Sequence, residues 1–286
     1  MKITKPFTGI IAFFIVLFTM PLAHALMIFM EYVFGHEYVF HAAIALGIAG
    51  IILLFWGMLS KRETIATMLG LFSSILVWTG WVEFAFVYYA NRFNVTAIME
   101  NGEVVTKPEY LIMPSSIGLW AIFMVYYFFG TKTGCTFFNW FQKRIRITHP
   151  KTLKPAIRNA AMTTFMELNM LLWTFYLVLL FVYDSAFIGD HSVGAHIVAY
   201  GMLLWSLYLF IKLLKKPKMA YAIRYAAPVV IIFWSFVEIM GRWGIFKEIW
   251  VEPMKYSLEM ILFVVVIAIL VLAVIIEDKR RKRKMQ

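Results

Sequence analysis

Two histidine pairs and two glutamates are the residues of this chain whose types and spacing best suit chemistry: His36 with His41, His191 with His196, and Glu83 with Glu238. Imidazole nitrogen and carboxylate oxygen together suit Fe, Cu, Zn or Mn. A single cysteine, Cys135, argues against a thiolate centre and a disulfide framework. Within each pair the histidines are five residues apart, about 140° from eclipsed on an ideal helix. Both rings therefore cannot point the same way unless the first stands in a loop, a weaker arrangement than the i,i+4 ligands of HExxH. A b-type haem held between His41 and His196 is the second option, and the absence of CxxCH excludes covalent attachment. His24, Glu31, Glu167 and Arg242 are secondary candidates. An ionisable group within a membrane span costs ~2.5–3.5 kcal/mol and is a functional candidate for that reason.

These residues recur at one register. A shift of 155 positions carries His36 onto His191, His41 onto His196, Lys61 onto Lys216, and Val82-Glu83 onto Val237-Glu238. Aliphatic matches arise readily between apolar helices, but coinciding scarce polar residues point to duplication. Four spans in each half would give the halves the same orientation, related by an axis along the membrane normal. Arg242 follows Glu238 by four residues and can pair with it, while the matching position in the first half is Val87. Trp78, Trp81, Trp234 and Trp243 flank the glutamates and offer walls for a quinone or lipid, or ordinary packing.

The elements that must position these groups follow from composition. The 286 residues are 62% hydrophobic and only 15% charged, with mean hydropathy +0.79. Soluble domains are nearer 45–50% apolar and roughly 25% charged. Eight apolar runs, 8–34, 39–59, 64–90, 113–130, 160–183, 194–214, 219–246 and 254–276, are long enough to cross a bilayer. The expected fold is an all-α polytopic integral membrane helix bundle of eight transmembrane helices. Its expected organisation is a four-helix half over 1–130, a basic linker over 131–158, a second half over 159–276 and a basic tail over 277–286.

Charge orients the bundle. Alternating the loops places 22 of the 27 Lys and Arg on one side, leaving Arg92, Lys107, Arg242, Lys247 and Lys255 on the other. The positive-inside bias then puts both termini in the cytoplasm of a cell (cytoplasmic) membrane. The net charge of +11 is thereby accounted for by loops and by the tail Lys279–Lys284, with no nucleic acid implied. Residues 1–25 resemble a signal peptide ending in Ala23-His24-Ala25, but the apolar run continues to Phe34, which favours an uncleaved first helix. On the outer side, 91–112 contains an Asn101-Gly102 turn between β-prone stretches and predicts a hairpin.

With that orientation nearly all the ionisable groups within spans lie towards the outer face, Glu167 with nearby Asn169 being the exception. The favoured reading is a cytoplasmic-membrane protein binding a transition metal or haem through His36, His41, Glu83, His191, His196 and Glu238, in redox or electron-transfer chemistry. Its partners would be the lipid bilayer and a quinone or periplasmic electron carrier. The alternative is a proton- or cation-coupled secondary transporter using Glu83 and Glu238. A zinc-dependent membrane hydrolase and a subunit of a larger membrane complex are further readings. No Walker A, GxSxG, GxGxxG or HExxH pattern points to nucleotide or serine-hydrolase chemistry.

Overall fold

A computed structural model describes residues 4–100, 103–126, 136–144 and 159–283. Eight helices in it are long and apolar enough to cross a membrane. They are α1 (Phe7–Gly35), α2 (Glu37–Leu59), α3 (Glu63–Arg92), α4 (Pro108–Val125), α5 (Ala160–Tyr183), α6 (Val193–Leu213), α7 (Met219–Arg242) and α8 (Ser257–Arg283). The protein is an all-α polytopic helix bundle, a multi-pass membrane protein in contact with lipid.

Several boundaries differ from the sequence expectation for local reasons. No loop separates α1 from α2. Gly35 alone turns the chain, with φ 61° and ψ 179°, a conformation open essentially to glycine. Helix α4 begins at Pro108 rather than 113 and tightens into a 3₁₀ turn over Met113–Ser116, where Pro114 lacks an amide hydrogen to donate. Helix α7 ends at Arg242, because Gly244 takes φ 69° two residues later. Helix α8 runs on through the basic segment to Arg283. The linker expected over 131–158 contains a short helix, Thr136–Arg144, and its remaining residues up to 158 lie outside the described ones.

The odd-numbered spans form the inside of the bundle. The most apolar stretches of α1, α3, α5 and α7 are 44–67% buried within the protein, against 17–28% for α2, α4, α6 and α8. Ile15, Val16, Leu71, Leu168, Ile223, Val229 and Ile232, all on odd spans, fill the centre and are essentially inaccessible. Even spans present Ile48, Ile52, Leu204, Leu262 and Ile269 outward, the chemistry lipid tails require. Because lipid offers no hydrophobic drive between helices, close backbone approach does the joining. At Gly70 of α3, a side-chain carbon would run into the Ala161 carbonyl of α5 and lie 2.9 Å from its Cα.

Each end of the bundle is tied by polar contacts. At one end Arg62 pairs with Asp278, and Arg224 reaches Glu63 at 2.8 Å. Asn159 caps α5 while donating to the Met58 carbonyl at 2.7 Å. At the other end a hairpin forms as expected, β1 (Ile98–Glu100) pairing antiparallel with β2 (Glu103–Thr106). Arg242 ties it to α7 by donating to the Thr106 hydroxyl at 3.1 Å.

Candidate functional site

The site assembles on the four inner spans near the hairpin end. Helix α1 contributes His24, α3 contributes Trp78 and Glu83, α5 contributes Tyr176, and α7 contributes Trp234 and Glu238. They wall a cavity of about 660 Å³, within the range of small-molecule sites.

Local backbone geometry places each glutamate beneath an indole. On α7 the spacing is i,i+4, and Trp234 Nε1–H donates to Glu238 Oε1 at 2.6 Å. On α3 the spacing is five, which an α-helix would set about 140° apart. Trp78–Glu83 instead forms a π-helical segment, whose i→i+5 pattern brings the two together, and Trp78 Nε1–H donates to Glu83 Oε1 at 3.0 Å. The shift of 155 aligns the glutamates but sets Trp78 against Phe233, one position short of Trp234. One extra residue, absorbed by the π segment, restores the match.

Tyr176 and His24 join the two carboxylates. Tyr176 Oη–H donates to Glu83 Oε1 at 2.9 Å, and His24 Nε2 lies 3.5 Å from the same hydroxyl. That nitrogen is 3.3 Å from Glu238 Oε1. A polar path thus runs Trp78–Glu83–Tyr176–His24–Glu238–Trp234, crossing from α3 to α7 through protonatable groups. Glu83 is only 5% exposed, yet its Oε2 makes no hydrogen bond within the described residues. A buried polar oxygen in that state is uncommon in folded proteins.

The mouth is built by the loops. Arg242 Nε donates to Asp190 Oδ2 at 2.9 Å and the guanidinium lies 4.9 Å from the centre of the Tyr183 ring. The expected Arg242–Glu238 pair is therefore not formed, because Asp190 and Thr106 hold the guanidinium at the mouth. Trp243 Nε1–H donates to the Asp190 carbonyl at 2.6 Å. After the turn at Gly244 the chain folds back, bringing Glu248 against Gly241 and Trp250 onto Trp234, their ring centres 4.7 Å apart.

Burial, with the Glu238 carboxylate close by, pushes the Glu248 carboxyl up to about 7 from its ordinary 4.5. The folded protein therefore holds a proton here that the unfolded chain has released. Stability from this group is unimpaired below about pH 4.5, falls as pH rises towards 7 and levels off above it. Glu248→Gln should flatten that part of the melting temperature against pH profile in detergent. An unchanged slope would show that Glu248 does not carry it.

The other sequence candidates are distributed as follows. His191 and Arg242 line the cavity with His24, Glu83 and Glu238. His41 is exposed on α2 beside Tyr38, and His196 is exposed on α6, stacked at 4.2 Å on Trp243 with Nδ1 2.8 Å from the Ser192 carbonyl. The His36 side chain lies outside what is described. Glu31 is half-buried on α1, away from the cavity lining, and Glu167 is buried on α5. Near Glu167, Asn169 makes an interhelical bond, donating to the Ser74 hydroxyl of α3 at 2.8 Å. Among the described residues, no group of three or more His, Cys, Asp or Glu is arranged to hold a metal ion.

Sequence reading missed Tyr176, Tyr183, Asp190 and Glu248. A phenol hydroxyl within the apolar run of α5, two residues after Thr174, was the available signal for Tyr176. Glu248 had none, since only the Gly244 turn returns it to the cavity. Comparison with protein-family models, curated proteins and solved structures finds no match to this chain.

Proposed function

We propose that this protein is a proton-coupled carrier of the cytoplasmic membrane, both termini cytoplasmic, whose cavity takes an amphipathic organic cation in exchange for protons on Glu83 and Glu238. One observation carries the reading. Two carboxylates from inner spans converge on a single cavity, joined through Tyr176 and His24, with a buried oxygen of Glu83 lacking a partner among the described residues.

Charge and aromatic content favour a cation. Glu83, Glu238, Glu248 and Asp190 face the cavity, and Asp190 is offset by Arg242. Lys107 sits among the hairpin residues of the lining, leaving the inner part acidic apart from His24. Trp78, Trp234, Trp250, Tyr110, Tyr176 and Tyr183 supply ring faces, which attract ammonium and phosphonium groups when water is excluded. Met20, Leu172, Phe175 and Ile231 supply an apolar floor for hydrocarbon. Orientation rests on the positive-inside bias of the basic residues along the sequence.

A proton and a cation that compete for one set of carboxylates must show it in pH dependence. Tetraphenylphosphonium titrated against the purified protein should quench tryptophan fluorescence, and its affinity should fall as pH is lowered, because protons compete with the cation for the cavity's carboxylates. Affinity that does not vary with pH, or preference for an anionic dye of the same size, would overturn the reading.

The competing reading keeps the donor chemistry and changes the occupant. His24, Glu83 and Glu238 carry nitrogen and oxygen donors of the types a transition metal takes, although among the described residues they are not arranged as a metal-holding group. Stoichiometric iron, copper, zinc or manganese in the purified protein, lost together with these side chains, would replace the carrier by a metalloprotein able to serve a quinone.

A further inference from the structure

The cavity of about 660 Å³ carries opposite charges at different depths. Glu83 lies nine residues before the end of α3 at Arg92, and Glu238 four before the end of α7 at Arg242. At 1.5 Å per residue, those carboxylates stand roughly 14 Å and 6 Å beneath the helix ends. The lining at the level of those ends includes Lys107.

Local structure fixes where Lys107 stands. It follows β2 directly and precedes Pro108, the first residue of α4, with extended backbone (φ −68°, ψ 152°). A residue before proline is held out of the helical region, so the turn from strand to helix is set here. The preceding Thr106 accepts from Arg242 at 3.1 Å, which pins the end of the strand to α7. Lys107 is half-buried, and none of the ion pairs among the described residues involves it. Glu109, two positions on, is buried outside the cavity lining. Arg242, the other permanent cation of the lining, is matched by Asp190 at 2.9 Å.

A plain cation bound at the carboxylates gains nothing from Lys107 and is repelled as it passes. A solute with an anionic group at its far end turns that repulsion into attraction. Between the two ends, Met20, Leu172 and Phe175 offer apolar contact to the hydrocarbon that joins them. We propose that the substrate of this cavity is a zwitterion, an alkyl ammonium held by Glu83 and Glu238 whose far end carries an anionic group received by Lys107. This inference rests on the carrier reading and narrows its substrate from organic cations to zwitterions.

Competition against tetraphenylphosphonium, read by tryptophan fluorescence on the purified full chain, tests it with two probes. One is trimethylammonio-octanoate; the other is its methyl ester, which keeps the ammonium and the chain but removes the anionic charge. The wild type should prefer the zwitterion. Lys107→Gln should lower the ratio of zwitterion to ester affinity about fivefold, the weight of one ion pair at a partly exposed position. Lys107→Glu should lower it about 25-fold, attraction having become repulsion of similar size. Lys107→Arg should keep the wild-type ratio. Lys255→Gln, exposed beyond the end of α7 and outside the lining, should leave it unaltered.

Both probes are read on every variant, so a partial loss of fold weakens them together and leaves the ratio unmoved. A wild type that prefers the ester overturns the proposal, as does a ratio that stays constant through Lys107→Gln and Lys107→Glu. Either result leaves the carrier reading in place, because tetraphenylphosphonium has no anionic end. Failure of tetraphenylphosphonium itself to bind overturns the carrier reading, and the zwitterion falls with it.

Discussion

Glu83→Gln combined with Glu238→Gln should weaken tetraphenylphosphonium binding roughly a thousandfold at neutral pH and leave only the pH dependence that Glu248 contributes. Each carboxylate acts on a cation about 8 Å away across a medium of effective dielectric about 20, worth about 2 kcal/mol. Two such losses multiply. Glutamine keeps an oxygen that can accept from the Trp78 and Trp234 indoles, so the substitution removes charge and proton exchange while sparing those bonds. Each single variant should lose about thirtyfold by the same arithmetic and retain a pH response from the remaining carboxylate. Binding by the double variant at wild-type strength would show that the acidic path is structural.

Gly70→Val should be the most damaging single substitution for the fold. The added carbons would have to occupy space held by the Ala161 backbone, and Ala161 itself is completely buried. Backbone cannot rotate aside, so α3 and α5 must separate, at a cost of about 3 kcal/mol or more. These same helices carry Glu83 and Tyr176, so separation should also lengthen the 2.9 Å bond between them and weaken cation binding. Gly201→Val on α6 is the comparison, since nothing lies within 4 Å of the position its Cβ would take. A melting temperature lowered only in Gly70→Val would confirm the contact. Equal behaviour of the two variants would refute it.

Sequence alone was sufficient for the number of spans, because apolar run length is a direct physical requirement of the bilayer. It also isolated Glu83 and Glu238, since charge is so scarce within the runs. Which spans lie inside was not legible. Inner and outer spans of this chain are comparably apolar, lipid being as apolar as a neighbouring helix, so composition does not sort them. His41 and His196 therefore looked equivalent to the glutamates, although they stand on α2 and α6 and face outward. The backbone exceptions were equally hidden. Nothing in Trp78–Glu83 announces a π segment, yet that segment alone makes its five-residue spacing match the four of Trp234 and Glu238. Gly35 was readable only as one glycine among 16. Arg242 had a sound local partner by helix spacing, and a loop carboxylate displaced it.

The carrier account is tested most directly by flux. Proteoliposomes containing the protein, preloaded with tetraphenylphosphonium and given an inward proton gradient at zero membrane potential, should release the cation faster than empty liposomes. Its exit should consume the gradient, and the Glu83→Gln/Glu238→Gln protein should release it no faster than lipid alone. Equal release with and without the proton gradient, or gradient-driven release that survives the double substitution, would contradict the account.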